Sequence, residues 1–238
     1  MSSSYVRVKV SGEFACFSRP EMKVERVSYE VMTPSAARGI LDSILWKPEM
    51  RWHVRRIEVL KSIRFQALKR NEVQSKIAVR GAGGILAWMR NPGSYKPQPA
   101  GAGSEDATPR NTLALRDVSY IIEAEPVVFD NSGDNTPTKY AEMFRRRVAK
   151  GQCHSIPCLG CREFAARFEP EEVGDHPIED SRDLGLMLYD IIFDPEGRDN
   201  RAVFFNAKLE RGGLNTAAEI ALPDDQLRKE VISCSYKH

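Results

Sequence analysis

From Tyr5 to Phe14 apolar residues (Val6, Val8, Val10) alternate with polar ones (Arg7, Lys9, Ser11), the period of a half-buried strand. At Thr33-Pro34 the period changes. A capping residue stands before a proline at the first helical position, and Ala37, Ile40, Leu41 and Ile44 recur at helical spacing until Pro48, which predicts a helix of about three turns. Trp52, Val54, Ile57, Val59 and Ile63, separated by Arg51, Arg55, Arg56, Lys61 and Arg64, predict one long strand with a basic polar side. A further strand is expected over residues 113–128. Thr136-Pro137 then opens a second helix that runs through Lys150 and ends at Gly151. With a strand near Arg162 to Phe168, the order is βαββαβ. This predicts an α+β protein whose N-terminal domain, residues 1–172, has the ferredoxin-like (RRM-like) arrangement.

Two segments fall outside that unit. Residues 71–111 show little periodicity and are rich in Gly and Pro, so they read as a long insertion of the kind that is usually functional or disordered. Residues 173–238 begin with a polar, acidic linker over Asp175 to Asp183. Two strands follow, Leu186 to Phe193 and Ala202 to Leu209, joined through Asp194-Pro195-Glu196-Gly197-Arg198, with a short third strand over Ile220 to Pro223. A small antiparallel C-terminal sheet domain is the expectation.

Charge sharpens this division. The chain is near neutral at +2 overall, but residues 1–100 carry net +10 and residues 171–238 carry net −7. Residues 51–80 alone hold nine Lys/Arg against two acids, enough to neutralise several phosphates and to make nucleic-acid binding strongly salt-dependent. The blander reading of those cations is a solvated face that keeps an edge strand from pairing with another chain. The acidic last third suits protein contacts better than phosphate. No membrane span or signal-like apolar run is present, and five cysteines in 238 residues fit a reducing, cytoplasmic setting.

Motifs for other chemistries are weak. Gly81-Ala-Gly-Gly84 lacks the Gly-Lys-Ser/Thr of a phosphate loop, no Gly-x-Ser-x-Gly elbow occurs, and the aromatic signature of RNA recognition motifs is missing. Cys153, Cys158 and Cys161, with His154 alongside, have only one zinc-like pair spacing, so buried thiols are the simpler reading. Asp180, Asp183, Asp190 and Asp194 are spaced as solubilising residues more readily than as a two-metal set.

Several stretches together resemble one family: Gly12 to Tyr29 (GEFACFSRPEMKVERVSY), Thr33 to Ile40 (TPSAARGI), Trp46-Lys47-Pro48, Lys69 to Val73 (KRNEV), Arg110 to Val118 (RNTLALRDV), Leu159 to Phe164 (LGCREF) and Gly185 to Asp190 (GLMLYD). By these the chain is identified as a member of the fifth CRISPR-associated (Cas) protein family in its subtype I-C form, within the repeat-associated (RAMP) superfamily. The resemblance implies an antiviral-defence endoribonuclease that needs no cofactor. Such a protein binds CRISPR repeat RNA, cuts precursor crRNA at the base of the repeat hairpin without a metal, and stays on the 5′ handle beside the backbone and large subunits of a Cascade complex. The alternative is a non-catalytic subunit that caps the handle, with duplex DNA as a further possible ligand.

The family's site joins a tyrosine at the end of the first helix to a lysine and a histidine near the second central strand. Here those places hold Leu45 and the segment with Arg110, Asn111 and Arg116. The residues expected to act in catalysis are Arg110, Arg116 and Lys47. An arginine can stabilise a charged phosphorane but is a poor base, which leaves Tyr29, His53 and Lys47 as candidates for that role. RNA binding is expected of Arg19, Lys23, Arg26, Arg38, Lys69 and Arg70, with Lys23, Arg26 and Arg38 on the handle and Lys69 and Arg70 reaching phosphates from the edge of the long loop.

Overall fold

The computed structural model describes residues 4–22, 24–73, 78–81, 84–95, 107–129, 134–194 and 200–233. They form a mixed α/β protein dominated by one sheet. Its path runs from β6 (Arg167–Glu169) through β1 (Val6–Ala15), β5 (Ala107–Val128), β3 (Met50–Val59), β9 (Gly213–Asn215) and β8 (Arg201–Glu210) to β7 (Arg182–Ile192). β2 (Arg26–Val27) and β4 (Phe65–Val73) also pair with β5. Along the path the partners are antiparallel, with Val8 opposite Ile122 and Ile57 opposite both Ile122 and Leu214.

The two central helices start where their caps place them. In α1 (Pro34–Ile44) the Thr33 hydroxyl accepts from the Ala36 N–H, and in α3 (Pro137–Ala149) Thr136 does the same for Lys139. Both helices pack on the sheet face carrying Val6, Val8, Val10, Trp52 and Val54. The Trp52 ring meets Phe144 edge-on at 4.8 Å and donates its indole N–H to the Leu45 carbonyl at 2.8 Å. Leu45 is fully buried. The short α4 (Ala218–Ala221) and α5 (Asp225–Ser233) close the C-terminal side.

Three expectations change. The long basic strand is two strands, because the backbone leaves β3 at Leu60 and re-enters as β4 at Phe65. The short third C-terminal strand is β9 at Gly213–Asn215, whereas most of the segment at Ile220 to Pro223 lies in α4 and the turn after it. Because β9 bonds to β3 on one side and β8 on the other, the C-terminal strands continue the main sheet. The chain divides into two compact units, residues 1–66 with 113–238, and residues 67–112. The second unit contains much of the expected insertion. Within it, α2 (Ile85–Arg90) buries no residue, and the Trp88 and Tyr95 rings meet edge-on at 4.9 Å. Residues 195–199 of the expected hairpin connection lie outside the described residues.

Candidate nucleic-acid interface

Part of the charge division along the sequence is neutralised by pairing in the fold. Arg7, on the sheet face away from the helices, bonds to Glu58 at 2.9 Å, Glu123 at 2.6 Å and Glu171 at 2.6 Å. Lys9 pairs with Glu169 and Asp175, and Arg55 with Glu125 and Glu219. Basic residues of the first hundred thus meet acidic residues of the last seventy. The expected acidic surface, separate from a basic one, is therefore not what these side chains build.

The deepest of these pairings corrects the role expected of Arg38. Its guanidinium is 8% exposed and grips the Asp190 carboxylate with both terminal nitrogens. Asp190, itself 6% exposed, also accepts from Arg51 at 2.9 Å and from the Ile191 N–H at 2.7 Å. A guanidinium committed this way cannot reach a phosphate, so Arg38 belongs to the scaffold. Asp42, near Arg38, is pushed up to about 6, chiefly by burial, with Arg38 and Arg51 opposing. His53 lines the same cleft as Arg38, Arg51 and Asp190. Its Nε2 accepts weakly from the Ala218 N–H at 3.4 Å, and burial pushes its pKa below the ordinary value.

Further cations, more exposed than Arg38, lie elsewhere in the first unit. The loop after β1 turns back so that Ser18 bridges Ser28, and the Ser28 N–H donates to the Leu113 carbonyl of β5 at 3.0 Å. This lays the loop along the β5 segment that includes Arg116. Arg19 stacks over the Tyr29 ring at 4.6 Å, and Arg26 pairs with Glu163 at 2.8 Å. The Tyr29 hydroxyl is buried and accepts from the Leu188 N–H, and burial raises its pKa. Both facts count against Tyr29 as a general base.

Arg116 itself is exposed, and among the described residues its guanidinium makes no ion pair. The salt bridge to Asp117 that sequence proximity suggests does not form. Asp117 instead takes Lys61 at 2.7 Å and Arg64 at 2.8 Å, with its backbone in the left-handed region at φ 52°. A non-glycine residue there is strained and persists where its surroundings fix it. Here two ion pairs fix it, while the Arg116 N–H donates to the Arg64 carbonyl at 2.9 Å. Lys61 and Arg64, two of the nine cations counted over residues 51–80, thus stand beside Arg116.

The other expected site residues are placed as follows. Lys47 is half-buried in the turn between α1 and β3. Arg110 is half-buried on the part of β5 in the second unit, which also holds exposed Lys69 and half-buried Arg70 on β4. Lys23 lies outside the described residues. The place before Trp46 is buried Leu45, so no side chain there can exchange a proton. Cys153 is exposed, away from a ligand set, and no group of three or more His, Cys, Asp or Glu among the described residues is arranged to hold a metal.

These exposed cations on a sheet-dominated protein are compatible with binding a polyanion, and comparison with known proteins identifies the family. Residues 5–215 match the family model described as CRISPR-associated protein (Cas_Cas5), Cas_Cas5d, and the chain belongs to this Cas5 family, subtype I-C. It is 44% identical over 218 residues to a protein of Mannheimia succiniciproducens named CRISPR pre-crRNA endoribonuclease Cas5d, covering 88% of this chain and 93% of that one. It is also 44% identical over 234 residues to a protein of the same name from Thermus thermophilus, covering 90% and 92%. A crystal structure titled CRISPR-associated Protein shares the fold, with TM-score 0.60 and 22% identity over 89% of this chain and 90% of that one. Among the described residues no helix is long and apolar enough to cross a membrane.

Proposed function

We propose that this protein is a crRNA-maturing endoribonuclease. It binds CRISPR repeat RNA along the ridge of Arg19, Arg26, Lys61, Arg64 and Arg116, cuts the precursor at the base of the repeat hairpin without a metal, and stays on the 5′ handle as a Cascade subunit. The observation that carries this reading is Arg116, an exposed guanidinium without a carboxylate partner among the described residues, beside Lys61 and Arg64, which Asp117 holds in place. In such a reaction the ribose 2′-oxygen attacks the adjacent phosphate, and Arg116 meets the charge that develops on the phosphorane oxygens. Arg110, Lys69 and Arg70, in the second unit, are assigned to RNA binding, and His53 and Lys47 are the remaining candidates for the proton-accepting group.

The strand order β6-β1-β5-β3, with α1 and α3 as its two crossovers, supports a ferredoxin-like reading of the first 172 residues. Residues 173–238 are assigned to contacts with backbone and large subunits, where edge strand β7 presents Leu186 at 61% exposure. One observation favours a second reading, a handle-capping subunit without turnover. Leu45 fills the place of the family's tyrosine and is packed in the core. Incubating the wild-type protein and Arg116→Ala with repeat RNA separates the two. Specific cleavage by the wild type that falls on the order of 100-fold in the variant supports the nuclease. Tight, salt-dependent binding with no product from either supports the cap, and preference for duplex DNA over repeat RNA contradicts both.

A further inference from the structure

Three thiols gather beneath the basic loop, and the proposed RNA chemistry uses none of them. The turn over residues 158–161 clasps the end of β1: the Cys16 N–H donates to the Leu159 carbonyl at 3.0 Å, and Gly160, at φ 84°, packs so closely that a Cβ there would collide with the Cys16 carbonyl. Cys161 Sγ is 3.6 Å from the Cys16 carbonyl oxygen. Both sulfurs share one hydroxyl, Ser18 Oγ, which is 3.4 Å from Cys16 Sγ and 4.0 Å from Cys161 Sγ. The Arg26 guanidinium lies 3.8 Å from Cys161 Sγ. Cys16 and Cys158 both line a cleft that also includes Ser18, Thr33 and Gly160.

The two sulfurs are chemically unlike. Hydrogen bonding from the Cys16 thiol, with help from Arg26 and Ser18 and against the opposing effect of burial, lowers the Cys161 pKa. The same hydrogen bond together with burial raises that of Cys16. Cys158 is raised by burial, which makes it a poor attacking group.

We propose that Cys161 and Cys16 form a redox-active dithiol, with half-buried Cys161 as the attacking sulfur and buried Cys16 as the resolving one, toward small-molecule disulfides. In the first step Cys161 Sγ attacks one sulfur of the disulfide RSSR. A Cys161–SR bond forms, the RS–SR bond breaks, and one RS⁻ leaves, taking up the proton lost from Cys161. In the second, Cys16 loses its proton and its sulfur attacks Cys161 Sγ. The Cys16–Cys161 bond forms, the second RS⁻ leaves, and it takes that proton. The protein gives up two electrons and two protons, and RSSR becomes two RSH. The product ties the turn 158–161 covalently to Cys16, the residue after β1, and removes the thiol that faces Arg26.

The test uses the full chain with oxidised glutathione, read by intact mass and by peptide mapping without reduction. The wild type is expected to gain a Cys16–Cys161 cross-link with no glutathione retained on Cys161. The Cys16→Ser variant stops at a stable Cys161–glutathione adduct. A persistent adduct on Cys161 in the wild type, or a Cys158–Cys161 cross-link in its place, overturns the assignment. Should Cys16→Ser fail to fold, the wild type still decides. At pH 6.5 iodoacetamide is expected to alkylate Cys161 at least tenfold faster than exposed Cys153, and equal or slower reaction overturns the proposal.

Discussion

Replacing Asp190 by asparagine keeps the shape of the side chain and removes its charge from between Arg38 and Arg51. The carboxylate accepts from three guanidinium nitrogens and one backbone N–H, and it is 6% exposed against 8% and 10% for the two arginine side chains. Water cannot replace it. Breaking a buried ion pair by deleting one member costs about 3–5 kcal/mol, because the surviving charge stays desolvated. Two features pull the expected loss toward the lower end. Arg38 keeps Asp42 at 3.9 Å, and Asp42 ionises more readily once the like charge of Asp190 is gone. A loss of about 3 kcal/mol is therefore expected, measured by urea denaturation followed by far-UV circular dichroism. The exposed Arg201–Glu230 pair serves as control, where Glu230→Gln should cost less than about 0.5 kcal/mol. A folded Asp190→Asn protein within about 1 kcal/mol of wild type would refute the reasoning. So would an Arg38→Met variant of unchanged stability that has lost RNA affinity.

Three further outcomes follow from the same geometry. Asp42 has its folded pKa raised to about 6 from 3.8, so the native state binds more protons between those values and stability falls as pH rises through the window. Relative to Asp42→Asn, the wild type should lose about 3 kcal/mol between pH 3.5 and pH 7.5, read from paired urea midpoints, and parallel profiles would exclude this. Gly160→Ala places a Cβ against the Cys16 carbonyl at positive φ and should cost about 3 kcal/mol, seen as a lowered urea midpoint, whereas an unchanged midpoint would show that the turn can relax. Arg116→Ala should leave stability within about 0.5 kcal/mol while flattening the salt dependence of RNA binding by about one phosphate contact; an unchanged slope removes Arg116 from the interface.

How much of this was legible in the chain depended on whether the signal was local. Thr33-Pro34 and Thr136-Pro137 fix their helix starts because cap and proline act within one turn, and Val6, Val8 and Val10 point to the core as their alternation requires. The break between β3 and β4 was hidden. Ile63, Arg64 and Phe65 resume the alternation after only Leu60-Lys61-Ser62, and the turn is held by Asp117, more than fifty residues away. β9 is three residues long and is set by pairing with β3, so its own composition carries little information. Charge misled for the same reason. Arg38 and Asp190 are separated by 152 positions, and a count by segment cannot show that one neutralises the other. Arg116, named from the sequence, is exposed, whereas Arg38, named with it, is buried against Asp190.

The most direct test of the central claim is incubation of the wild-type protein with its repeat RNA in EDTA, beside the same RNA carrying a single 2′-deoxy substitution at the cut site. One specific cut in the unmodified RNA, unaffected by EDTA and abolished by the 2′-deoxy substitution, is the predicted result. Intact RNA in EDTA, or cleavage that survives the 2′-deoxy substitution, would contradict it.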